Sequence, residues 1–108
     1  RREARKRSLP DTLTKQNWLY AVTWWAGCAY CGVDLPAGEL TLDHVIPLSS
    51  PDCPGTVAGN IVPACTSCNS SKPTLPVQQF LERNFGQDHA ASRLAIIAEF
   101  FNTLPDDD

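Results

Sequence analysis

Two matched cysteine pairs, and four polar residues between and beside them, are where this sequence can do chemistry. Cys28-Ala29-Tyr30-Cys31 and Cys65-Thr66-Ser67-Cys68 share the spacing C-x-x-C. Thiolate is a strong zinc ligand, and a structural zinc site takes four ligands in a tetrahedron. Each pair would fold round one edge of the ion. Four sulfurs leave no open position for water, so Cys28, Cys31, Cys65 and Cys68 read as a staple, and catalysis needs a second site. Asp43-His44 lies between the pairs, Asn60 comes later, and Asn69 directly follows the last cysteine. The staple would draw Asp43, His44 and Asn69 together. The Asp43 carboxylate and the Asn69 amide carbonyl are hard oxygen donors of the kind that hold Mg²⁺, with water and phosphate in the remaining places. A histidine beside such an ion can take a proton from water.

These residues must be carried by short elements. Residues 13–26 have the pattern of a helix, with Asp11 or Thr12 as N-cap and Gly27 as its stop. Trp24 and Trp25 near its end are expected in the core over the first knuckle, and Gly32 allows the knuckle to reverse tightly. The cysteine pairs are separated by 33 residues, more than the roughly 15–20 of a compact zinc ribbon. That length has room for two strands and a loop. Residues 40–43 alternate apolar and polar and predict a half-buried strand, which residues 44–48 continue or pair beside. Neighbours on a regular strand face opposite ways. Asp43 and His44 can then serve one site only if the backbone distorts, so a distorted strand end is expected there. Residues 49–60 read as a surface loop carrying Cys53 as a spare thiol. Helices follow over 66–72, 77–85 and 88–103, broken at Pro73 and Gly86. Leu94, Ile97, Phe100 and Phe101 face inward, and His89 is a surface or capping residue.

A chain of 108 residues is expected to form one domain, spanning 1–108. Starting at Arg1 without methionine, it reads as a processed chain or a piece of something longer. The net charge of −3 does not advertise nucleic acid, but its distribution matters more. Arg1, Arg2, Arg5, Lys6 and Arg7 hold five of the nine basic residues, while Asp106, Asp107 and Asp108 end the chain in an acidic tail. The basic run is either a solvated terminus or an arm that neutralises DNA phosphates. Five cysteines could mean disulfides, but the odd count and the C-x-x-C pairing favour zinc. Zinc-bound thiols imply a reducing compartment, hence a cytoplasmic protein. No apolar run reaches the length of a membrane helix.

The string Cys28-x-x-Cys31, Asp43-His44-Val45-Ile46-Pro47, Asn60-Ile61-Val62, Cys65-x-x-Cys68-Asn69 and Lys72 resembles the HNH endonuclease family. The resemblance covers about residues 28–72. It implies an α+β fold: a small ββα-metal, treble-clef-like core stapled by four-cysteine Zn²⁺, here flanked by an N-terminal helix and C-terminal helices. It implies His44 as general base, Asp43 as a ligand of a catalytic Mg²⁺ or Mn²⁺, and Asn60 as the residue that ties the loop and holds the histidine. Asn69 stands where many members carry a last histidine, which makes this an H-N-N variant. An amide oxygen favours Mg²⁺ or Mn²⁺, whereas imidazole would admit softer ions. The implied reaction is hydrolysis of DNA to a 5′-phosphate and a 3′-hydroxyl. Lys72 either contacts the phosphodiester backbone or is a solvated lysine. Because one site cuts one strand, a double-strand break needs a homodimer, a partner protein or two visits. A short chain with little beyond such a module suggests a phage setting.

Three other readings fit these residues less well. A zinc-stapled module that binds DNA or protein without cutting would use the same cysteines but leave Asp43, His44, Asn60 and Asn69 without purpose. A zinc deaminase needs H-x-E and P-C-x-x-C. Here His44-Val45-Ile46 lacks the glutamate, and Ala64 separates Pro63 from Cys65. A dithiol oxidoreductase would need a thioredoxin-like βαβ pattern, which is missing.

Overall fold

The computed structural model describes residues 9–105, so the basic arm at 1–8 and Asp106, Asp107 and Asp108 lie outside the described residues. The first helix, α1, spans Lys15–Trp25. Its start is fixed by a reciprocal cap: Thr14 Oγ1 accepts from Asn17 N–H at 3.0 Å and Asn17 Oδ1 accepts from Thr14 N–H at 2.9 Å. The helix therefore begins later than Asp11 or Thr12 suggests. The preceding residues are otherwise occupied: Thr12 and Leu13 N–H groups donate to the Thr56 carbonyl, and Thr56 N–H donates to the Pro10 carbonyl. The stop is Ala26, not Gly27. Ala26 takes the left-handed conformation at φ 52°. Gly27 answers a different need, since a Cβ there would sit 2.3 Å from the Val33 carbonyl oxygen.

A turn through the first knuckle, with Gly32 at φ 83°, leads to strand β1, Thr41–His44. It pairs antiparallel with β2, Ile61–Ala64, in the register Thr41↔Ala64, Leu42↔Pro63, Asp43↔Val62 and His44↔Ile61. One residue faces one residue throughout, so there is no bulge at Asp43-His44. The chain bends only from Val45 onward, and residues 45–48 neither extend β1 nor form a further strand. β2 is buried along its length, with α1 packed on it, which explains its unbroken apolar sequence. Pro63 has no N–H to donate, but its carbonyl accepts from Ala29 N–H at 2.9 Å and fastens the first knuckle to the strand.

Helix α2, Thr66–Ser71, rises from the second knuckle and packs on β1. Six residues are too few to be stable alone. The helix is held by Cys65 and Cys68 at its start and by Lys72 after its end. Helices α3, Val77–Phe85, and α4, Gln87–Asn102, pack on each other around Gly86, which turns at φ 92°. Phe80, Leu81, Ile97 and Phe100 enter the core with Tyr30, Val62 and Ala64; Trp24, Trp25, Leu94 and Phe101 pack partly buried against it. His89 is not a surface or capping residue. Its Nε2 lies 2.9 Å from the Tyr30 carbonyl, and Arg93 Nε donates to the Ala29 carbonyl at 2.9 Å. α4 thus braces the back of the first knuckle. Among the described residues no helix is long and apolar enough to cross a membrane.

Candidate active site and metal centre

The fold brings the four cysteine sulfurs of the two knuckles within 4.8 Å of one another. Cys31 Sγ and Cys65 Sγ are 3.9 Å apart, close to the ~3.8 Å edge of a tetrahedron with Zn–S of about 2.3 Å. None is in a disulfide. Backbone N–H groups already face the sulfurs as they would face thiolates: Tyr30 and Cys31 donate to Cys28 Sγ, and Cys68 donates to Cys65 Sγ, each at 3.4 Å. Cys28 is held down to about 4, first by the Cys68 thiol that donates to it and then by these amides, against burial that opposes the charge. Cys68 is pushed up by that same bond and by burial. The donor set is soft, four-fold and closed. The four cysteines are positioned to hold a metal ion such as zinc.

The second site lies at the end of β1. Side chains alternate along the strand, so Thr41 and Asp43 share the face turned to α2, while Leu42 and His44 face the other way. Even so, Asp43 and His44 both line one cavity of about 300 Å³, together with Pro47, Leu48, Ser49, Pro73 and Thr74. The cavity wraps the strand terminus, and this removes the need for a distorted backbone. His44 Nε2 lies 2.9 Å from Thr56 Oγ1. Asp43 is only 8% exposed. Its Oδ2 accepts from the Tyr30 hydroxyl at 2.5 Å and from Lys72 Nζ at 3.3 Å. Burial, and then the Asp43 charge, push the Tyr30 phenol well above its ordinary range, so it stays a neutral donor.

Lys72 corrects the sequence reading. It is not a solvated lysine. It is 1% exposed, and its ammonium is engaged by Asp43 and by the His44 carbonyl at 2.9 Å. Burial lowers its pKa, and Asp43 pulls in the opposite direction. Asn69 stands one turn before Lys72 on α2. Its Nδ2 donates to Thr41 Oγ1 at 2.7 Å and to the Leu42 carbonyl at 3.2 Å. The contacts of Asp43 therefore fall on Oδ2 and those of Asn69 on Nδ2. The Oδ1 atom of each, one carboxylate and one amide oxygen, is a hard donor of the class that suits Mg²⁺ or Mn²⁺.

Asn60 closes the loop between the strands. Its Oδ1 accepts from Ile46 N–H at 2.8 Å, and its Nδ2 donates to the Ile46 and Gly55 carbonyls, both at 3.1 Å. Its own carbonyl accepts from Val45 N–H. Cys53, expected as a spare surface thiol, is buried here and donates to the Ile46 carbonyl at 3.2 Å. The loop is a packed clasp that begins next to His44. Sequence reasoning missed Tyr30, Thr56 and Thr41. Tyr30 was within sight, as a large aromatic inside a knuckle whose hydroxyl must find a buried partner. Thr56 gives no local signal, because its role depends on a loop fastened to residues 10–13.

Residues 28–74 match a family model described as HNH endonuclease. The chain is 32% identical over 69 residues to the CRISPR-associated endonuclease Cas9 of Actinomyces naeslundii, an overlap of 64% of this chain and 6% of that protein. The crystal structure of the Type II-C Cas9 enzyme from Actinomyces naeslundii shares the fold at a TM-score of 0.60 and 24% identity, over 87% of this chain and 11% of that one. The chain thus spans only a small part of the relative it matches. The family match begins at the first knuckle and ends beyond α2, so the segment similar to HNH endonucleases takes in both cysteine pairs together with Asp43, His44, Asn60 and Asn69.

Proposed function

We propose that the chain is a metal-dependent endonuclease module that hydrolyses DNA phosphodiester bonds. The observation that carries this reading is the cavity at the end of β1, where a carboxylate and a histidine from opposite faces of the strand meet beside a closed four-cysteine staple. His44 takes a proton from the attacking water, its ring steadied by the Thr56 hydroxyl. Asp43 and Asn69 would hold the catalytic Mg²⁺ or Mn²⁺. When bound, that ion supplies positive charge to the scissile phosphate and to the departing 3′-oxygen. Asn60 fixes the clasp that begins next to His44, so the base keeps its place while the phosphate binds. The products are a 5′-phosphate and a 3′-hydroxyl. Arg1, Arg2, Arg5, Lys6 and Arg7 supply phosphate contacts that the acidic body of the chain does not. One such site cuts one strand at a time.

Cleavage of supercoiled plasmid with Mg²⁺ or Mn²⁺, beside EDTA and His44→Ala controls, tests the reading. The wild type should nick, EDTA should stop it, and His44→Ala should lose about 10²–10⁴-fold in rate while keeping its fold and zinc. A folded, zinc-loaded wild type that binds plasmid but never nicks it would point instead to a binding module.

A further inference from the structure

Each knuckle sends one hydrogen-bond donor to the same oxygen of Asp43. Tyr30 sits two residues after Cys28, and its hydroxyl meets Oδ2 at 2.5 Å. Lys72 sits four residues after Cys68, and its ammonium meets Oδ2 at 3.3 Å. Both donors are rooted in the staple. Tyr30 N–H donates to Cys28 Sγ, and Lys72 N–H donates to the Cys68 carbonyl at 3.0 Å. Neither can swing away. Tyr30 is fully buried, packs edge-on against Phe80 at 5.6 Å between ring centroids, and has its carbonyl held by His89. Lys72 is pinned a second time by the His44 carbonyl.

From this geometry we infer that Tyr30 is a positioning residue. It fixes the Asp43 carboxylate through Oδ2 so that Oδ1 is presented to the divalent ion, which makes divalent-ion affinity at the strand end depend on the zinc staple. The inference rests on the function proposed above and adds to it a coupling between the two metal sites. The carboxylate torsion of an aspartate is broad and nearly two-fold, so an unclamped Asp43 would share its time among several orientations. Two donors converging on one oxygen remove that freedom before the ion arrives. The staple joins the two knuckles and so fixes the distance between the donors. Outer partners of this kind orient metal ligands, and their loss typically costs about 10–100-fold in metal affinity.

The test is Mn²⁺ binding to the zinc-loaded full chain, read by electron paramagnetic resonance, with zinc content and circular dichroism measured on the same samples. Tyr30→Phe removes only the hydroxyl. It should keep one zinc and the wild-type spectrum while weakening Mn²⁺ binding about 10-fold or more. Unchanged Mn²⁺ affinity in a folded Tyr30→Phe protein would overturn the inference and reduce the bond to satisfaction of a buried hydroxyl. Asp43→Asn separates the two levels. If it binds Mn²⁺ as tightly as the wild type, Asp43 is not a ligand, and the metal-site reading fails together with the inference. Should Tyr30→Phe not fold, wild type carrying 3-fluorotyrosine gives a second measurement, with Tyr20→Phe assigning the two resonances. The Tyr30 signal should shift on addition of Mg²⁺, and a signal that stays fixed at saturating Mg²⁺ would overturn the coupling.

Discussion

The cysteine cluster and the strand-end site sit side by side, yet they are assembled in opposite ways. The cluster is made of two identical short spacings, and each pair needs only its own turn to aim two sulfurs at a common point. The strand-end site draws Asp43 and His44 from β1, Asn60 from the loop before β2, Asn69 and Lys72 from α2 and its end, and Thr56 from a turn strapped to residues 10–13. The cluster is defined by the local geometry of each pair and brings the two knuckles together. The strand-end site is defined by tertiary contacts and can lose a part without the rest collapsing. Damage to the first should therefore be global, and damage to the second graded.

Cys65→Ser tests the global side and carries the largest expected effect. A structural zinc site contributes apparent binding energy of about 10–16 kcal/mol, which in a small domain is folding energy. The variant should lose its zinc and its cooperative thermal transition together, read by metal analysis and by circular dichroism on heating. A folded, zinc-free Cys65→Ser protein would break the comparison, because the fold would then stand without its staple.

Lys72→Met comes next and probes the strand-end network. It keeps the length and apolar stem of the side chain but leaves Asp43 with Tyr30 as its one remaining donor at Oδ2. Removing one partner of a buried ion pair typically costs about 3–5 kcal/mol, because the other charge stays buried. Urea unfolding should show a loss of that size with zinc still bound. A loss below about 1 kcal/mol would mean that water reaches Asp43, and that the clamp on it is loose.

What the sequence made legible follows the same division. The grouping of the four cysteines, the reversal at Gly32, and a helix over 77–85 closed by Gly86 were readable because each rests on a few adjacent residues. The first short strand was readable from alternation, and room for two strands and a loop from the length between the knuckles, but its partner is the buried apolar stretch Ile61–Ala64 and not residues 44–48. Side-chain destinations were not readable. Lys72 looks like an exposed cation after a helix, and only the packing of α2 on β1 buries it. His89 looks like a helix-start residue until α4 is laid against the knuckle. Cys53 looks spare until the loop closes on it. The expected distortion at Asp43-His44 came from sound alternation physics, but it assumed that a site must lie on one face of a strand. A strand that ends at the site exposes both faces to it. Gly27 and Ala26 exchanged roles for a similar reason: close approach of Val33 claimed the glycine, and the left-handed turn fell to its neighbour.

The smallest predicted effect sharpens the comparison most, because it acts on His44 from a distance. Gly55 adopts φ 103°, and a Cβ there would lie 2.3 Å from the Pro10 carbonyl oxygen, a backbone atom that cannot step aside cheaply. Pro10 is also the acceptor for Thr56 N–H, so the strap and the Thr56 hydroxyl would move together. Gly55→Ala should cost about 1–3 kcal/mol of stability through the strained conformation. It should also slow plasmid nicking by displacing the group that steadies His44, with zinc content unchanged. Gly59→Ala is the matched control. It lies four residues on in the same loop, and a Cβ there meets nothing within 4 Å, so stability should stay within about 0.5 kcal/mol of wild type and nicking should be unaffected. If the two alanines behave alike, the strap does not set the histidine, and the strand-end site is more self-contained than its contacts suggest. If only Gly55→Ala slows nicking, the site extends through backbone hydrogen bonds to residues that no catalytic motif would include.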